Sequence, residues 1–286
     1  MAVVNTNANA TIAQNALARN ERAMNTAMER LSTGNRINGA KDDAAGLAIS
    51  SRMTSQIRGL ETGIRNANDA ISMINTADGA LIEVTNMLQR MRELAIQASN
   101  GTTTEADRDY LHAEYSNLLT EIDRIAENTQ WNGMNILNHT TLASSQFAYT
   151  VGANAGQTIA VNFGDLTNTA SGVFASLTAS HASIEAATTA SAITTATSAV
   201  VAIDSAITAI NSQRATYGAA INQLTYAVDN LSNVKVNAEA SRSRILDADY
   251  ARETSELART QIIQQAGTAM LAQANQLPQT VLSLLQ

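Results

Sequence analysis

Cysteine is absent from this chain of 286 residues, and proline occurs only once. Without cysteine the chain can form neither a disulfide nor a thiolate metal site, so packing has to provide its stability. Aromatic residues make up 3% of the sequence, and its apolar residues are largely Ala, Ile, Leu and Val. This composition favours a thin helical core over a thick β-sandwich or an α/β core with a substrate pocket.

Positive charge is also scarce. The chain carries 18 Lys and Arg against 25 Asp and Glu, a formal net charge of −7, and its only lysines are Lys41 and Lys235. Because no basic cluster could neutralise phosphates, we expect no nucleic-acid partner. No run approaches the roughly 20 consecutive apolar residues of a membrane span, and the start, MAVVNTNANA, lacks the features of a cleavable signal peptide. We therefore expect no membrane partner, and a protein that is soluble or exported by an unconventional route.

The two ends of the chain carry no charged side chain, in residues 1–18 and again in residues 260–286. Both ends are nevertheless amphipathic. Near the N-terminus Leu17, Met24 and Leu31 recur every seven residues, and the C-terminal end carries apolar residues in steps of three and four. Each end is predicted to form a helix that needs a partner. The members of the C-terminal seam are Ile263, Ala266, Met270, Ala274, Leu277, Val281 and Leu284.

Two interpretations of these ends remain open. They could pair only with each other inside one molecule, but two thin, Ala-rich helices bury little apolar area and would be marginal alone. Alternatively, many copies bring their ends together, where an uncharged, amide-rich surface avoids repulsion between like charges. A self-contact whose rotation does not close produces an open helical filament. On this second interpretation the ends become ordered on assembly.

Two stretches of 46 residues, Met53–Ala98 and Ile193–Ala238, carry apolar residues at coiled-coil spacing. As a helix each would span about 69 Å, at a rise of about 1.5 Å per residue. The second stretch has two charged residues at seam positions, Arg214 and Lys235. The pattern predicts two long helices that lie side by side.

Shorter elements separate these helices. The glycine-interrupted segment 34–46 is predicted to connect the N-terminal helix to the first long helix. After Gly101, Thr104 and Asp107 resemble a capping box at the start of a third helix, which should fold back antiparallel on the first long one. Between residues 146 and 163 the apolar period changes to two, which predicts a single β-hairpin, and residues 165–198 leave the start of the last long helix undefined. The predicted fold class is mainly α: a long, antiparallel, coiled-coil-like helical rod with one small β-hairpin, plus paired terminal helices.

No motif indicates catalysis or a bound cofactor. The three histidines lie in different predicted elements without companions at ligand spacing. Carboxylate pairs such as Asp42/Asp43 and Asp247/Asp249 are typical of helix starts and solvated faces. Neither a Gly-x-Ser-x-Gly turn nor a Walker-type loop is present. The sequence therefore predicts no catalytic, cofactor or metal site.

One polar cluster, Gln89, Arg90, Arg92 and Glu93, falls on the exposed face of the first long helix. Solvated helix-face charges with local pairing would explain it. A binding site is the alternative, and the spacing alone does not decide between the two.

Several long motifs, in the right order and over nearly the whole chain, resemble bacterial flagellin. Four belong to the N-terminal half and one to the C-terminal half. They are LSTGNRINGAKDDAAGLAIS at 31–50, RNANDAISMINTADGAL at 65–81, QRMRELAIQASNGT at 89–102, NTQWNGMNIL at 128–137, and SRSRILDADYARETSELARTQIIQQAGTAMLAQANQLPQTVLSLLQ at 241–286.

The resemblance implies a subunit of the flagellar filament, secreted unfolded through the flagellar type III export apparatus and polymerised outside the cell. It implies an inner tube (D0 domain) formed by residues 1–42, which include the connecting loop, and by residues 245–286. The surrounding rod layer (D1 domain) would be formed by residues 43–176 and 177–244. The large variable outer domains of longer relatives are missing. The residues expected to build the inner tube are Leu17, Met24, Leu31, Ile263, Met270, Leu277, Val281 and Leu284.

The resemblance also implies partners. Besides other copies of the chain, these are the flagellar cap and hook-associated proteins and an export chaperone. Host Toll-like receptor 5 senses the family through a patch whose motif is matched here by Gln89, Arg90, Leu94 and Glu114. The leucines that match the segment contacted by the chaperone and by cytosolic innate sensors are Leu282, Leu284 and Leu285.

Two other functions are weighed against the filament subunit. A hook–filament junction protein belongs to the same superfamily but usually resembles flagellin less closely at both ends. An enzyme built on a helical bundle would need a convergent polar cluster in a pocket, and the sequence offers none. We therefore expect a structural protein and not an enzyme.

Overall fold

The structure is a computed structural model that describes residues 7–138, 146–166, 184 and 189–283. Within these residues the fold is mainly α, with five helices and two small antiparallel strand pairs, which confirms the predicted fold class. The helices are α1 (Ala8–Thr33), α2 (Ala44–Ala98), α3 (Glu105–Asn128), α4 (Thr189–Leu246) and α5 (Tyr250–Ser283). The strands are β1 (Gln130–Trp131), β2 (Met134–Asn135), β3 (Gln146–Thr150) and β4 (Thr158–Asn162).

The chain divides into two compact units. The terminal unit consists of Met1–Ile57 with Val236–Gln286, and the central unit is Arg58–Lys235. The helices α2 and α4 each contribute to both units. The predicted domain limits at residues 42, 176 and 244 stay predictions.

In the central unit, α2 packs against α4 along the predicted seams. Residues at intervals of seven are fully buried on each helix, as expected where coiled-coil seams meet. Every predicted seam residue of α2 and α4 in this unit is buried or half-buried. The fully buried sets are Ala67, Ile74, Leu81, Leu88 and Ala95 on α2, and Ala196, Ile203, Ile210, Tyr217 and Leu224 on α4.

Ion pairs show that α2 and α4 run antiparallel in a constant register. Lys235 Nζ lies 2.8 Å from Glu61 Oε1, and Arg92 Nε lies 2.7 Å from Asp204 Oδ1. From Glu61 to Arg92 α2 advances 31 residues, while α4 goes back 31 residues from Lys235 to Asp204. At about 1.5 Å per residue, the register holds over roughly 46 Å.

The third helix begins at the predicted capping box. The side chain of Thr104 accepts a hydrogen bond from the Asp107 N–H, and the Asp107 side chain accepts one from the Thr104 N–H. Near the start of α3 the buried Arg108 donates through Nε to the Ala98 carbonyl at the end of α2. Further along, Arg90 of α2 pairs with Glu114 of α3, so α3 returns antiparallel on α2 as predicted.

The predicted hairpin is β3–β4, and it lies against α2. Tyr149 pairs with Ile159 in its ladder, and alternate residues of both strands point inward. Its turn approaches the backbone of α2 at two glycines: a Cβ on Gly63 would lie 3.0 Å from the Val151 carbonyl carbon, and one on Gly59 3.0 Å from the Ala153 Cβ. Glycine at these positions is what lets the turn seat on the helix.

Besides the predicted hairpin, the described residues form a second, two-residue strand pair, β1–β2, which the sequence analysis does not predict. Trp131 pairs with Met134, and the two residues between them have positive φ, 50° at Asn132 and 77° at Gly133. Asn-Gly is the preferred sequence for a two-residue turn with positive φ at both positions. The Asn-Gly pair at 132–133 is therefore a sequence signal for this turn.

In the terminal unit, α1 and α5 pack antiparallel. The Asn20 side-chain amide donates to the Thr260 carbonyl at 2.7 Å, and the Asn7 amide donates to the Ala274 carbonyl at 2.8 Å. As the residue number rises along α1 it falls along α5, which defines the direction. The paired terminal helices of the prediction are thus present in the single chain.

The connections that flank these helices also bind each other in the terminal unit. The Arg36 N–H donates to the Leu246 carbonyl, and the Ala248 N–H donates to the Gly34 carbonyl. Asp43 accepts from the Gly46 N–H at the start of α2, and Asp249 accepts from the Ala251 N–H at the start of α5. These carboxylates cap helices, as the sequence indicated.

Within the part of the chain that the structure describes, one helix is apolar enough to cross a membrane by length and composition alone. Residues Ser191–Leu246 contain an 18-residue window of mean hydropathy 1.5, with 33% of that window buried. Counting consecutive apolar residues missed it, because Ser and Thr interrupt its runs of Ala, Val and Ile. The same helix supplies the α4 seam of the central unit, and a core helix passes this test as readily as a membrane span.

Candidate assembly and recognition surfaces

The face of α1 that meets α5 is the predicted N-terminal seam. Leu17, Met24 and Leu31 are half-buried on it, and Asn20 and Ala27, which alternate with them, are buried. At Gly267 of α5 a Cβ would lie 2.5 Å from Leu17 Cδ1, so this leucine occupies the place of the missing side chain. The two helices can approach closely because small residues line their contact.

Of the predicted C-terminal seam, Ala274 is the member whose described side chain lies on the face of α5 that meets α1. This face carries Glu253, Thr260, Gly267 and Ala274, which are spaced by seven residues. Three of them are at most 9% exposed, and Gly267 is half-buried. Since α1 presents Leu17, Met24 and Leu31 here, small residues of α5 such as Gly267 fit against it better than bulky ones. An apolar pattern cannot reveal such a contact.

The predicted seam of α5 instead lies largely in solvent. Ile263 is 42% exposed and Met270 67% exposed, and the neighbouring Ile262 is 66% exposed. We call Ile262, Ile263, Ala266 and Met270 the outer stripe of α5. The side chains of Leu277 and Val281 lie outside those described, and Leu284 lies outside the described residues. A stripe of exposed, bulky apolar side chains on a helix is typical of an interaction surface.

A charged contact also joins the two terminal helices. Arg30 Nη1 donates to Glu253 Oε1 at 3.1 Å, and only 10% of the Glu253 side chain is exposed. The Tyr250 hydroxyl donates to the Leu31 carbonyl one helical turn away. These contacts join the C-terminal end of α1 to the N-terminal end of α5. The outer stripe lies further along α5, beyond its last charged residue, Arg259.

The second candidate surface, on α2 and α3, brings together three of the four residues expected to meet a receptor. Arg90 Nε donates to Glu114 Oε1 at 2.9 Å, and Arg90 Nη1 donates to Glu93 Oε2 at 3.0 Å. The hydrogen bonds from Glu114 and Glu93 raise the pKa of the Arg90 guanidinium. Gln89 is exposed beside this pair, but Leu94 is buried in the core with 1% exposure. Leu94 supports the surface from below and offers no contact area of its own.

The remaining predicted contacts fall beyond what the structure describes. The side chain of Leu282 lies outside the described ones, and Leu284 and Leu285 lie outside the described residues, as do His139 and His181. Among the residues described, no group of three or more His, Asp or Glu could hold a metal ion. An open cavity of about 330 Å³ lies between the β3–β4 turn and α4, with Gln157, Asn230 and Leu231 in its lining. These three side chains are an amide, an amide and a hydrocarbon, and none of them is a titratable acid or base.

Comparison with known proteins identifies the chain. Residues 4–141 match the family model of the bacterial flagellin N-terminal helical region, and residues 200–285 match that of the C-terminal helical region. The chain belongs to the bacterial flagellin family. A flagellin from Halalkalibacterium halodurans is 45% identical over 91% of this chain and 91% of its own length.

Solved structures agree with this assignment. The crystal structure of Bacillus cereus flagellin matches with a TM-score of 0.50 and 33% identity, covering 58% of this chain and 88% of that one. A protein described as a flagellar hook-associated protein from Vibrio parahaemolyticus matches with a TM-score of 0.61 over 72% of this chain, at 16% identity. That second likeness shows a shared fold alone.

As a flagellin, the chain is a structural subunit of the flagellar filament and a component of the bacterial flagellum. Nothing in these comparisons favours the hook–filament junction protein. The homologues align with this chain along most of its length, which fits a short member of the family without large outer domains.

Proposed function

We propose that the outer stripe of α5 joins each subunit to its neighbours in the inner tube of the filament. The observation that carries this proposal is the exposure of Ile262, Ile263 and Met270 in a segment of 27 residues without a charged side chain. In a single chain these side chains contact water. In a helical polymer they would be covered by other copies of the same segment.

The absence of charge is a requirement of this arrangement. In a homopolymer every residue of the inner tube recurs in each neighbouring copy, so a charge there meets the same charge repeatedly and has to be desolvated. Side chains such as Gln261 and Gln265 can both donate and accept hydrogen bonds, and therefore satisfy identical partners. An amide-rich, uncharged helix thus suits dense packing of identical copies.

Assembly also stabilises the terminal helices. In the single chain the described α1–α5 contact consists of small side chains, three half-buried apolar side chains of α1, three side-chain-to-carbonyl hydrogen bonds and one ion pair. Such a thin contact is marginal for an isolated helix pair. We infer that residues 1–42 and 245–286 reach their full stability only in the inner tube, while residues 43–176 and 177–244 form the surrounding layer.

The export route and the further partners follow from membership of the family and remain proposals. We propose that the flagellar type III apparatus secretes the chain to the outside of the cell. The proposed partners are an export chaperone that binds near Leu282, Leu284 and Leu285, and the cap and hook-associated proteins. We propose no enzymatic activity, no cofactor, and neither nucleic acid nor membrane as a partner.

Recognition by Toll-like receptor 5 is proposed for the surface formed by Gln89, Arg90 and Glu114. The structure supports it by placing these side chains together on the adjacent helices α2 and α3. Arg90 is already paired with two carboxylates, so a receptor would have to accept the whole charged group or replace one of its pairs.

Truncation tests the assembly proposal. A chain that lacks residues 1–33, or one that lacks residues 250–286, should retain the helical circular dichroism of the central unit but fail to elongate filament seeds in electron micrographs. Filaments formed normally by both truncated chains would refute the proposal. Loss of the helical signal itself would show instead that the central unit depends on the ends.

A further inference from the structure

The chain has nine methionines, and those that the structure describes lie in very different surroundings. Met73 is 2% exposed and Met91 is fully buried in the core of the central unit, whereas Met270 is 67% exposed. Met28 of α1 and Met134 of β2 are 50% and 42% exposed. A thioether reacts with a dissolved oxidant only where the oxidant can reach the sulfur. Met270 is the most accessible of these five.

Position 270 also lies where a change of polarity would alter the proposed assembly surface. It belongs to the outer stripe of α5, four to eight residues after Ala266, Ile263 and Ile262. No charged side chain follows Arg259, and the side chains of the outer stripe are hydrocarbon apart from the thioether of Met270 itself. A sulfoxide at Met270 places a strong bond dipole within this apolar stripe.

We propose that Met270 is an oxidation site at which conversion to the sulfoxide prevents a free subunit from joining the filament. The inference rests on the assembly role proposed for the outer stripe. With hydrogen peroxide as the oxidant, the thioether sulfur attacks one peroxide oxygen and the O–O bond breaks. An S–O bond forms, and the other oxygen leaves as water after proton transfer. Sulfur loses two electrons and the peroxide gains them.

The consequence differs between the free and the assembled subunit. In the free chain the sulfur is open to peroxide, and the oxidised side chain must then be desolvated during assembly without a dedicated hydrogen-bond donor, which is costly. In the filament the same sulfur is covered by neighbouring copies and reacts slowly. Oxidation therefore rejects damaged subunits before they are incorporated, and a methionine sulfoxide reductase with a thiol reductant reverses the effect.

The test uses the full chain with mild hydrogen peroxide treatment. Peptide mass spectrometry should find the sulfoxide at Met270 well before Met73 and Met91. The critical concentration for seeded elongation should rise about tenfold or more, since one buried unsatisfied polar group per subunit is added. Reductase treatment should restore the original value, and preformed filaments should show slower oxidation at Met270.

Leucine variants test whether oxidation of Met270 itself causes the loss of filament elongation. Met270→Leu keeps the apolar stripe and should polymerise equally before and after peroxide, whereas Met134→Leu should remain as sensitive as the unmodified chain. Unchanged elongation of a chain fully oxidised at Met270, or equal peroxide sensitivity of Met270→Leu, would overturn the oxidation proposal alone. If untreated protein fails to elongate seeds at all, the assembly role fails, and the oxidation proposal fails with it.

Discussion

Two charged side chains at seam positions of α4, Arg214 and Lys235, meet acidic partners on α2. Arg214 Nε lies 2.7 Å from Asp78 Oδ1, and Lys235 pairs with Glu61. About a third of each side chain in the Arg214–Asp78 pair remains exposed, so the pair contributes only modestly to stability. The pair mainly fixes the register of α4 against α2, because any shift of α4 along α2 leaves a charge in the seam without its partner.

The register role predicts a charge-reversal result. Asp78→Arg places two cations together and should lower the free energy of unfolding by about 1 kcal/mol or more. The double variant Asp78→Arg/Arg214→Asp restores the pair in reverse and should recover most of that loss. Urea unfolding measures both, with Glu83→Arg on the exposed side of α2 as control. Independent, additive losses in the double variant would contradict the pairing.

The Glu61–Lys235 pair should make stability depend on pH. The hydrogen bond and charge of Lys235 lower the pKa of Glu61 from its usual 4.5. Because the folded-state pKa is lower than the unfolded one, the pair stabilises the fold above about pH 4.5, and this contribution is lost as the pH falls through the lowered pKa. Glu61→Gln should therefore flatten the acid side of the stability curve, whereas Asp229→Asn, at an exposed site on α4, should change it less. Unfolding followed between about pH 3 and 7 compares the two, and identical curves would contradict this linkage.

Among the elements, the β3–β4 turn and α2 make a close contact through their backbones. The turn rests on Gly59 and Gly63, and the Asn66 amide donates to the Thr150 carbonyl at 2.9 Å. Glycine is a poor helix former, so its presence twice within one helical turn of α2 disfavours the helix locally. Access of the turn to the helix backbone accounts for it.

Alanine substitutions separate these two effects. Gly63→Ala puts a Cβ 3.0 Å from Val151 and 3.1 Å from Gly152, both backbone atoms, and should cost about 1–3 kcal/mol despite the better helix propensity of alanine. In the same helix Gly79→Ala meets no atom within 4 Å and should stabilise by up to about 1 kcal/mol. Chemical denaturation distinguishes them. Stabilisation by Gly63→Ala would show that the β3–β4 turn does not contact α2 closely at Gly63.

Elements whose apolar residues recur at a regular spacing could be predicted from the sequence. The seams of α2 and α4, the capping box of α3 and the β3–β4 hairpin follow from spacing, because bulky side chains pack in a core that repeats with the helix or strand. The face of α5 that meets α1 was not predictable in this way, since its contact residues include Thr260, Gly267 and Ala274. Small side chains form close helix contacts without an apolar pattern. The sequence revealed the exposed stripe of α5 but not which partner it faces.

Function could be predicted from the sequence because the flagellin motifs are long and span both halves of the chain. The recognition surface was predicted less completely. Leu94 was grouped with Gln89 and Arg90 by its position in the motif, yet it points into the core. Motif position does not tell whether a side chain is buried, and only packing against the neighbouring helices shows it.

For the molecule as a whole, the division into a central and a terminal unit separates two kinds of stability. The central unit has a continuous apolar core and a constant helix register within one chain. In α5 of the terminal unit the most buried residues are small or polar, and bulky apolar residues such as Ile262 and Met270 are exposed. This inverted distribution is unfavourable for a lone molecule and favourable for one that is surrounded by copies of itself.

Seeded filament elongation, followed by electron microscopy, tests this account most directly when Met270→Asp is compared with Thr254→Asp. Both substitutions add one negative charge to an exposed position of α5, but Thr254 lies before Arg259, in the part of the helix that already carries charged side chains. We predict that Met270→Asp abolishes elongation, because the charge would be buried without a partner, and that Thr254→Asp elongates far more readily. Filaments formed equally well by the two variants would contradict the claim that the outer stripe of α5 carries assembly.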